Sequence, residues 1–424
     1  MRTTFNHRDG TLLRVLEVDG TTHGSTVPSS DAVADPLGTW WRNYFTGISP
    51  EPVNRTGTPI RTAEMFCGPG GFALGAKQAC RELGFEFQSR FAIDSDAEAT
   101  KVYGLNHNTE YLSAASVTTL VDYKIKGSRA EARMAYPPEI VDERLVAMVG
   151  AIDLLLAGPP CQGHSNLNNH TRRSDSRNEL YLTVPAVAIA AQIPLVVIEN
   201  VTAVVHDHAG VVETTKELLS QAGYQLTDGV IKADKLGWPQ TRSRYFLVAR
   251  KGSAPIPLNE VATALAEPEA KSVCWAIDDL AGLEPDHEMN RRPNMSPENI
   301  ERVSWLHDNG EFNLPDELRP DCHKDGNHTY SSVYGRMRPD KPAPTLTTGF
   351  LTPGRGRFIH PREKRMLTPR EAARLQGFPD TYRWRVPEQE PPLSSLLTKW
   401  IGDAVPMPLG YAAVLSALGP GPLY

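Results

Sequence analysis

The chain has 424 residues, of which 40% are hydrophobic and 22% are charged, and its formal net charge is −6. This composition is typical of a globular protein with two or three domains, and the net charge gives no overall attraction for a polyanion. Five scattered cysteines argue against a disulfide framework, and Cys322, His323 and His328 match no common zinc spacing, so we predict no metal site. We expect no signal peptide and no long apolar segment, and therefore a cytoplasmic protein without a membrane association.

Residues 1–58 are polar and rich in turns, with apolar clusters at 12–18 and at Trp40, Trp41, Tyr44 and Phe45. We expect a small N-terminal extension that packs through its aromatic side chains.

Between residues 59 and 250, strand and helix patterns alternate, which predicts an α/β domain with a doubly wound, mostly parallel sheet. The predicted strands are 61–66, 87–93, 152–157, 195–198 and 245–249. The predicted helices are 72–83, 97–105, 180–191 and 212–222.

The alternation is lost over residues 251–345, which are rich in Pro, Asn and His. We expect a second, irregular domain over 251–350 and a C-terminal segment over 351–424. Within that segment, Thr368-Pro369-Arg370-Glu371 predicts a helix that begins with a capping box and a proline in its first turn. Gly377 and Pro379 are expected to end it.

A glycine-rich loop, FCGPGG (66–71), follows the first strand of the 59–250 domain and opens a helix. Such glycines let the backbone approach a ligand, and Asp94 at the end of the next strand can accept both hydroxyls of a ribose. The pair indicates a nucleoside cofactor and leaves NAD, FAD and S-adenosylmethionine open.

A cysteine follows the third strand in the turn GPPCQG (158–163). The carboxyl end of a parallel strand is where open α/β sheets build their sites, and Cys161 could act there as a nucleophile if its pKa is lowered. In isolation, such a motif more often contains a structural cysteine.

Two further motifs point to the same edge of the sheet. Glu199, in the motif ENV (199–201), ends another apolar run, so an acid and a nucleophile would converge over one crevice. Arg242 and Arg244, in QTRSR (240–244), alternate along a strand and are predicted to share one face, which suits paired contacts to a phosphate or a substrate oxygen.

The chain also carries a basic strip. Between Arg336 and Arg374 there are ten Lys or Arg residues against three acids. Because electrostatic attraction is local and screened within about 8–10 Å, an acidic protein with such a strip can still bind a nucleic-acid backbone. A solvated charged face is the alternative.

Taken in order, these motifs resemble those of the DNA (cytosine-5)-methyltransferase family over about residues 60–412. FCGPGG resembles the family's cofactor loop, GPPCQG its nucleophile loop, ENV its acid motif and QTRSR its paired-arginine motif. The segments RMLTPRE with ARLQGFP (365–379) and GDAVP (402–406) are similar to its last two motifs.

The resemblance implies a Rossmann-like class I methyltransferase domain over 59–250 and a target-recognition domain over 251–350. It implies that Cys161, as a thiolate, adds to C6 of a flipped-out cytosine while Glu199 binds the N3/N4 edge of the base. Methyl transfer from S-adenosylmethionine to C5, loss of the C5 proton and elimination of the cysteine would follow. The catalytic residues it implies are Cys161, Glu199, Arg242 and Arg244.

The resemblance also implies two sets of binding residues. For S-adenosylmethionine these are Phe66, Gly68, Gly70, Gly71, Asp94, Ser116, Pro159, Leu180, Asp403 and Ala404. For double-stranded DNA they are Gln162, Ser165, Gln240, Arg336, Arg338 and Thr345. The expected context is a monomer in a restriction–modification or other phage-defence system, with a cognate endonuclease or another defence protein as a partner.

The chain departs from the family's pattern at two positions near the cofactor. Asp403 stands where the last motif usually has Asn, and Ser116 stands where an acid usually contacts the adenine amine. An RNA cytosine-5 methyltransferase with the same motifs and a non-catalytic DNA-binding protein of the same fold are the alternatives.

Overall fold

The computed structural model describes residues 1–29, 34–160, 180–285, 287–324 and 332–419. Its strands are β1 (Arg2–Arg8), β2 (Thr11–Val18), β3 (Thr21–Pro28), β4 (Glu51–Pro52), β5 (Pro59–Met65), β6 (Glu86–Asp94), β7 (Tyr111–Ala114), β8 (Val121–Asp122), β9 (Ile125–Lys126), β10 (Arg133–Met134), β11 (Glu139–Ile140), β12 (Leu154–Ala157), β13 (Leu195–Asn200), β14 (Tyr224–Lys232) and β15 (Ser243–Lys251). Its α-helices are α1 (Pro36–Phe45), α2 (Gly71–Glu82), α3 (Ala97–His107), α4 (Glu143–Val146), α5 (Leu180–Ala190), α6 (Val211–Gln221), α7 (Leu258–Ala264), α8 (Val273–Ile277), α9 (Pro297–Asp308), α10 (Pro369–Gln376), α11 (Ser394–Asp403) and α12 (Met407–Leu418).

A seven-stranded sheet in the order β14-β15-β13-β12-β5-β6-β7 forms the centre of the protein. The pairs from β13 to β7 are parallel, whereas β15 is antiparallel to both β13 and β14. Along β12, Leu154 and Leu156 pack into one hydrophobic cluster and Leu155 and Ala157 into another. Both faces of the sheet are therefore covered, which confirms the prediction of an α/β, doubly wound, mostly parallel fold.

The predicted strands and helices of the 59–250 domain are all present, with ends within two residues of the prediction. The pattern missed β7 and β14, which are edge strands. β14 is mostly accessible and contains Asp228 and Gly229, so it lacks the apolar run that marks an interior strand.

The N-terminal extension is an antiparallel sheet, β1-β2-β3-β4, with α1 between β3 and β4 in the chain. A buried ion pair anchors it to the central α/β domain: Arg14 of β2 lies 3.1 Å from Glu82 of α2, and both side chains are at most 3% exposed. Tyr411 of α12 donates a 2.5 Å hydrogen bond to Glu82. The rings of Phe5, Trp40, Trp41 and Tyr411 surround the Arg14 guanidinium at 5.5 to 5.8 Å.

Residues 251–366 contain α7, α8 and α9, short 3₁₀ turns and loops. The capping box before α10 is confirmed, because Thr368 accepts from the Glu371 amide while the Glu371 carboxylate accepts from the Thr368 amide. The expectation of no long apolar segment was wrong. Ser394–Leu418, the stretch that holds α11 and α12, is long and apolar enough to span a membrane, but 94% of its apolar window is buried in the protein.

We predict that Arg14→Met destabilises the protein by about 3–5 kcal/mol, because it leaves the Glu82 carboxylate buried without its counter-charge. The measurement is urea-induced unfolding at neutral pH. Arg8→Ala is the matched control, since Arg8 pairs with Asp9 at the surface, where the two side chains are 90% and 86% exposed. Equal midpoints for the two variants would show that the pair does not anchor the extension.

Candidate active site

The glycine-rich loop turns sharply between β5 and α2. Phe66, Gly68 and Gly70 have φ values of 58°, 48° and 100°, in the left-handed region that glycine adopts most easily. A Cβ atom at Gly70 would lie 2.3 Å from His107 Nε2, whereas one at Gly68 would have no neighbour within 4 Å. The loop therefore packs against His107 at Gly70, whereas there is open space beside Gly68.

Two side chains that the sequence did not single out support this loop from behind. Tyr382 donates a hydrogen bond to the Pro69 carbonyl, and its hydroxyl lies 3.2 Å from His107 Nε2. Burial lowers the pKa of His107 to about 3, so its ring is neutral at physiological pH.

Asp94 ends β6 beside the open side of the loop. One carboxylate oxygen accepts from the Gly68 amide at 2.9 Å, and the other accepts from the Asp96 amide at 2.8 Å. These bonds fix the carboxylate at the carboxyl end of the sheet, and each oxygen keeps lone-pair capacity for a ligand.

The remaining predicted cofactor residues lie along the same edge. Ser116 is exposed and caps a 3₁₀ turn, accepting a 3.3 Å hydrogen bond from the Thr118 amide. Leu180 begins α5 and packs against the core. The Pro159 carbonyl accepts from Asn200 Nδ2 at 3.2 Å, which ties the segment after β12 to the end of β13.

The acid of the ENV motif lies over the start of the nucleophile loop. A Cβ atom at Gly158 would be 3.7 Å from Glu199 Oε2. Cys161, Gln162 and Ser165 fall outside the described residues.

Arg244 and Glu199 form an ion pair of 2.8 Å, with side chains 13% and 10% exposed. Burial raises the pKa of Glu199 above its usual value, and the positive charges of Arg244 and Arg242 oppose that rise. A raised pKa suits an acid that must hold or deliver a proton near neutral pH.

Arg242 binds backbone carbonyls, and paired contacts of the two arginines to a phosphate or a substrate oxygen stay a prediction. Its side chain is 3% exposed, and its guanidinium donates to the carbonyls of Leu346 at 2.7 Å and Gly402 at 3.0 Å, with a longer contact of 3.4 Å to Ala404. Arg242 is therefore a positioning residue that fastens two distant segments beside the site.

One of these segments, residues 402–405, lies between the glycine-rich loop and the end of β12. A Cβ atom at Gly71 would lie 2.6 Å from the Val405 carbonyl and 3.1 Å from Ala404 Cβ, and one at Gly158 would lie 3.3 Å from Val405 Cγ2. The segment therefore touches both the glycine-rich loop and the end of β12. Gly158 and Val405 contact each other here, although the sequence motifs assigned a role to neither residue.

Asp403 lies within this segment. Although its side chain is 58% exposed, desolvation in the crevice raises its pKa, and the charge of Lys399, 3.8 Å away, opposes that rise.

The predicted DNA contacts separate into buried and accessible residues. Gln240 is fully buried and its amide donates to the Leu375 carbonyl at 3.0 Å, so it supports α10 and is reassigned from DNA binding. Arg336 is also reassigned, because its guanidinium donates to the Pro361 carbonyl at 2.8 and 3.0 Å. Thr345 is half-buried and lies one residue before the Leu346 carbonyl that Arg242 binds.

Arg338 is the accessible member of this set. It is exposed, and its guanidinium stacks 4.6 Å from the centre of the Phe312 ring. Within the part of the chain that the structure describes, its guanidinium has neither a hydrogen bond nor an ion pair. The described residues also contain no group of three or more His, Cys, Asp or Glu that could hold a metal ion.

We predict that the destabilisation caused by Arg244→Met increases with pH. Burial raises the pKa of Glu199 in the folded protein above its value in the unfolded chain. As pH rises through the interval between these two pKa values, ionisation of Glu199 therefore lowers the stability of the protein. Loss of Arg244 raises the pKa further and leaves an uncompensated buried carboxylate, at a cost of about 3–5 kcal/mol above the interval. Urea unfolding across a pH series measures the effect.

The double variant Glu199→Gln/Arg244→Met is the control, because it has no carboxylate to ionise. Its stability should not show the added pH dependence. If Arg244→Met and the double variant keep parallel pH profiles, the ion pair does not control the ionisation of Glu199.

Comparison with known proteins identifies the family. The model of the C-5 cytosine-specific DNA methylase family matches residues 60–417. Type II methyltransferase M1.BsuMI of Bacillus subtilis (strain 168) is 39% identical over 371 residues, covering 86% of this chain and 83% of that protein. Type II methylase M.HgiDII of Herpetosiphon aurantiacus is 29% identical and covers 82% of this chain and 92% of that protein.

Solved structures agree on the fold. The S. pombe Dnmt2 methyltransferase aligns with a TM-score of 0.56 at 18% identity, over 85% of this chain and 99% of that one. The Entamoeba histolytica methyltransferase EhMeth aligns with a TM-score of 0.53 at 15% identity, over 84% of this chain and 98% of that one. The family model matches most of the chain, and the chain is 39% identical to a type II methyltransferase. The chain therefore belongs to the C-5 cytosine-specific DNA methylase family.

Proposed function

We propose that this DNA cytosine-5 methyltransferase uses S-adenosylmethionine to methylate one cytosine within a specific duplex sequence. The observation that carries the proposal is the meeting of three elements at one crevice. Segment 402–405 touches the glycine-rich loop at Gly71 and the end of β12 at Gly158, and Glu199 lies over that same glycine. A cofactor side and a base side therefore lie next to each other.

The residues on the cofactor side fit S-adenosylmethionine. The space in front of Gly68 leaves room for a ligand against the backbone, and Asp94 presents two oxygens to a ribose. When bound, this cofactor supplies an electrophilic methyl group. Phe66, Gly70, Gly71, Ser116, Pro159, Leu180 and Ala404 complete the proposed binding set.

On the base side, Cys161 is the proposed nucleophile, adding to C6 so that electron density reaches C5. Glu199 would bind the N3/N4 edge, and its raised pKa favours the proton that must be shared with N3 as the adduct forms. Arg244 would hold the Glu199 side chain in place through their ion pair, while Arg242 would fix the loops on either side.

The target cytosine must leave the duplex to reach this crevice, at a cost of a few kcal/mol. We assign DNA recognition to the 251–350 domain, which includes Thr345, and to Gln162 and Ser165. Arg338 is the arginine best placed for a DNA contact, because stacking on Phe312 holds its planar guanidinium while leaving the donors accessible.

Similarity to type II methyltransferases supports a role in restriction–modification, with a cognate endonuclease as the functional partner. We propose that the protein acts as a cytoplasmic monomer on double-stranded DNA. The RNA-methylating and non-catalytic alternatives are tested by the same experiment as the main proposal.

We predict that bisulfite sequencing of DNA from cells expressing the protein reveals methylated cytosines in one recurring sequence. Cells expressing Cys161→Ser provide the control and should show background methylation only. Purified protein is then incubated with a duplex containing that sequence and with tRNA. Methylation of tRNA but not of DNA would overturn the DNA assignment, and equal activity of wild type and Cys161→Ser would overturn the mechanism.

We predict that Arg338→Ala weakens binding to the cognate duplex by about tenfold, or about 1.4 kcal/mol, which is within the range of about 1–3 kcal/mol for a DNA-contacting arginine. Fluorescence anisotropy over a salt series measures it, and a phosphate contact would also reduce the salt slope by about one. Arg8→Ala, at an exposed arginine of β1, is the matched control. Unchanged affinity in Arg338→Ala would remove this residue from the interface.

A further inference from the structure

Asp403 is a charged residue at the end of α11, and its backbone neighbours are held by Arg242. Arg242 binds the carbonyl of the preceding residue, Gly402, at 3.0 Å and contacts that of the following residue, Ala404, at 3.4 Å. A Cβ atom at Gly402 would lie 2.6 Å from the Thr348 amide nitrogen, so this part of the chain packs closely against residues 347–348.

The side chain of Asp403, in contrast, is available to a ligand. It is 58% exposed, and among the described residues its ion-pair partner is Lys399 at 3.8 Å. Lys399 is shared with Asp96, which lies 3.5 Å from the same ammonium and also accepts from Trp400 Nε1 at 3.0 Å. The Asp403 carboxylate is therefore only partly neutralised.

Its location is defined by what lies on either side. Asp403 is within electrostatic range of Asp94 on the proposed ribose side and of Arg242 and Arg244 on the Glu199 side. The next two residues lie between the same two sites, since Ala404 contacts Gly71 and Val405 contacts Gly158. Asp403 thus stands between the nucleoside site and the base site.

In a nucleoside sulfonium, the positive charge would lie in the region between the nucleoside site and the base site. The sulfur is attached to the 5′ carbon of the ribose, and its methyl group must face C5 of the cytosine. A ribose at Asp94 and a cytosine at Glu199 therefore leave the sulfonium between them, near Asp403.

We propose that Asp403 is a specificity residue for cofactor charge, whose carboxylate favours the cationic S-adenosylmethionine over its neutral product, S-adenosylhomocysteine. This inference rests on the proposed cofactor. The two molecules share the adenosine and the amino-acid part and differ by the methyl group and the sulfonium charge. A nearby carboxylate stabilises that charge by a Coulombic interaction that an asparagine amide cannot supply. The same preference would help the product to leave after each turnover.

The test is isothermal titration calorimetry of the full-length protein with each of the two molecules, in slightly alkaline buffer at low salt. We expect Asp403→Asn to reduce the ratio of S-adenosylmethionine to S-adenosylhomocysteine affinity by about tenfold, or about 1.4 kcal/mol. Lys399→Met should increase that ratio, because it removes the competing ammonium. Asp19→Asn, at an exposed hairpin residue with φ 47°, is the control and should leave the ratio unchanged.

The outcomes separate this inference from the proposed function. If the wild type binds neither molecule, the cofactor assignment itself is wrong. If it binds both and Asp403→Asn weakens both equally, Asp403 contacts a shared part of the cofactor and charge selection is overturned. An unchanged ratio in both Asp403→Asn and Lys399→Met also overturns it. The thermal midpoint of each ligand-free variant confirms that it is folded.

Discussion

The active site depends on the anchoring of three separate chain segments by the guanidinium of Arg242. Arg242 lies just before β15 and binds carbonyls near Leu346 and at Gly402, which are about 100 and 160 residues further along the chain. Hydrogen bonds from a charged donor in a buried site are among the stronger polar interactions, and losing them would leave carbonyls unpaired. Through them, the 251–350 region and the C-terminal segment are tied to the end of the central sheet.

This arrangement gives the two arginines of one motif different tasks. Arg242 binds the backbone and determines where the 402–405 segment lies, whereas Arg244 binds a side chain and limits the rise in the pKa of Glu199. The glycine-rich loop is supported in a comparable way by Tyr382, from the C-terminal segment. Residues distant in sequence therefore complete both the proposed cofactor site and the proposed base site.

The N-terminal extension illustrates the limits of composition. Its aromatic residues correctly indicated that it packs against the protein, and Trp40 and Trp41 are buried. The ion pair between Arg14 and Glu82 was not predictable, because a charged residue in a strand is far more often exposed than buried. Only the enclosure of Arg14 by four rings and by Glu82 makes its burial possible.

The sequence by itself determined five of the seven strands of the central sheet, the helices α2, α3, α5 and α6, the capping box of α10 and the set of motifs that identify the family. These are local properties, since hydrophobic periodicity, turn glycines and capping residues act over a few residues. Tertiary structure alone decided that Gln240 and Arg336 are support residues, that Arg338 is accessible and that Asp403 is exposed beside Lys399. An arginine in a basic strip can bind a phosphate or a carbonyl equally well. Its role depends on which backbone groups lie within reach, and packing between distant segments determines that.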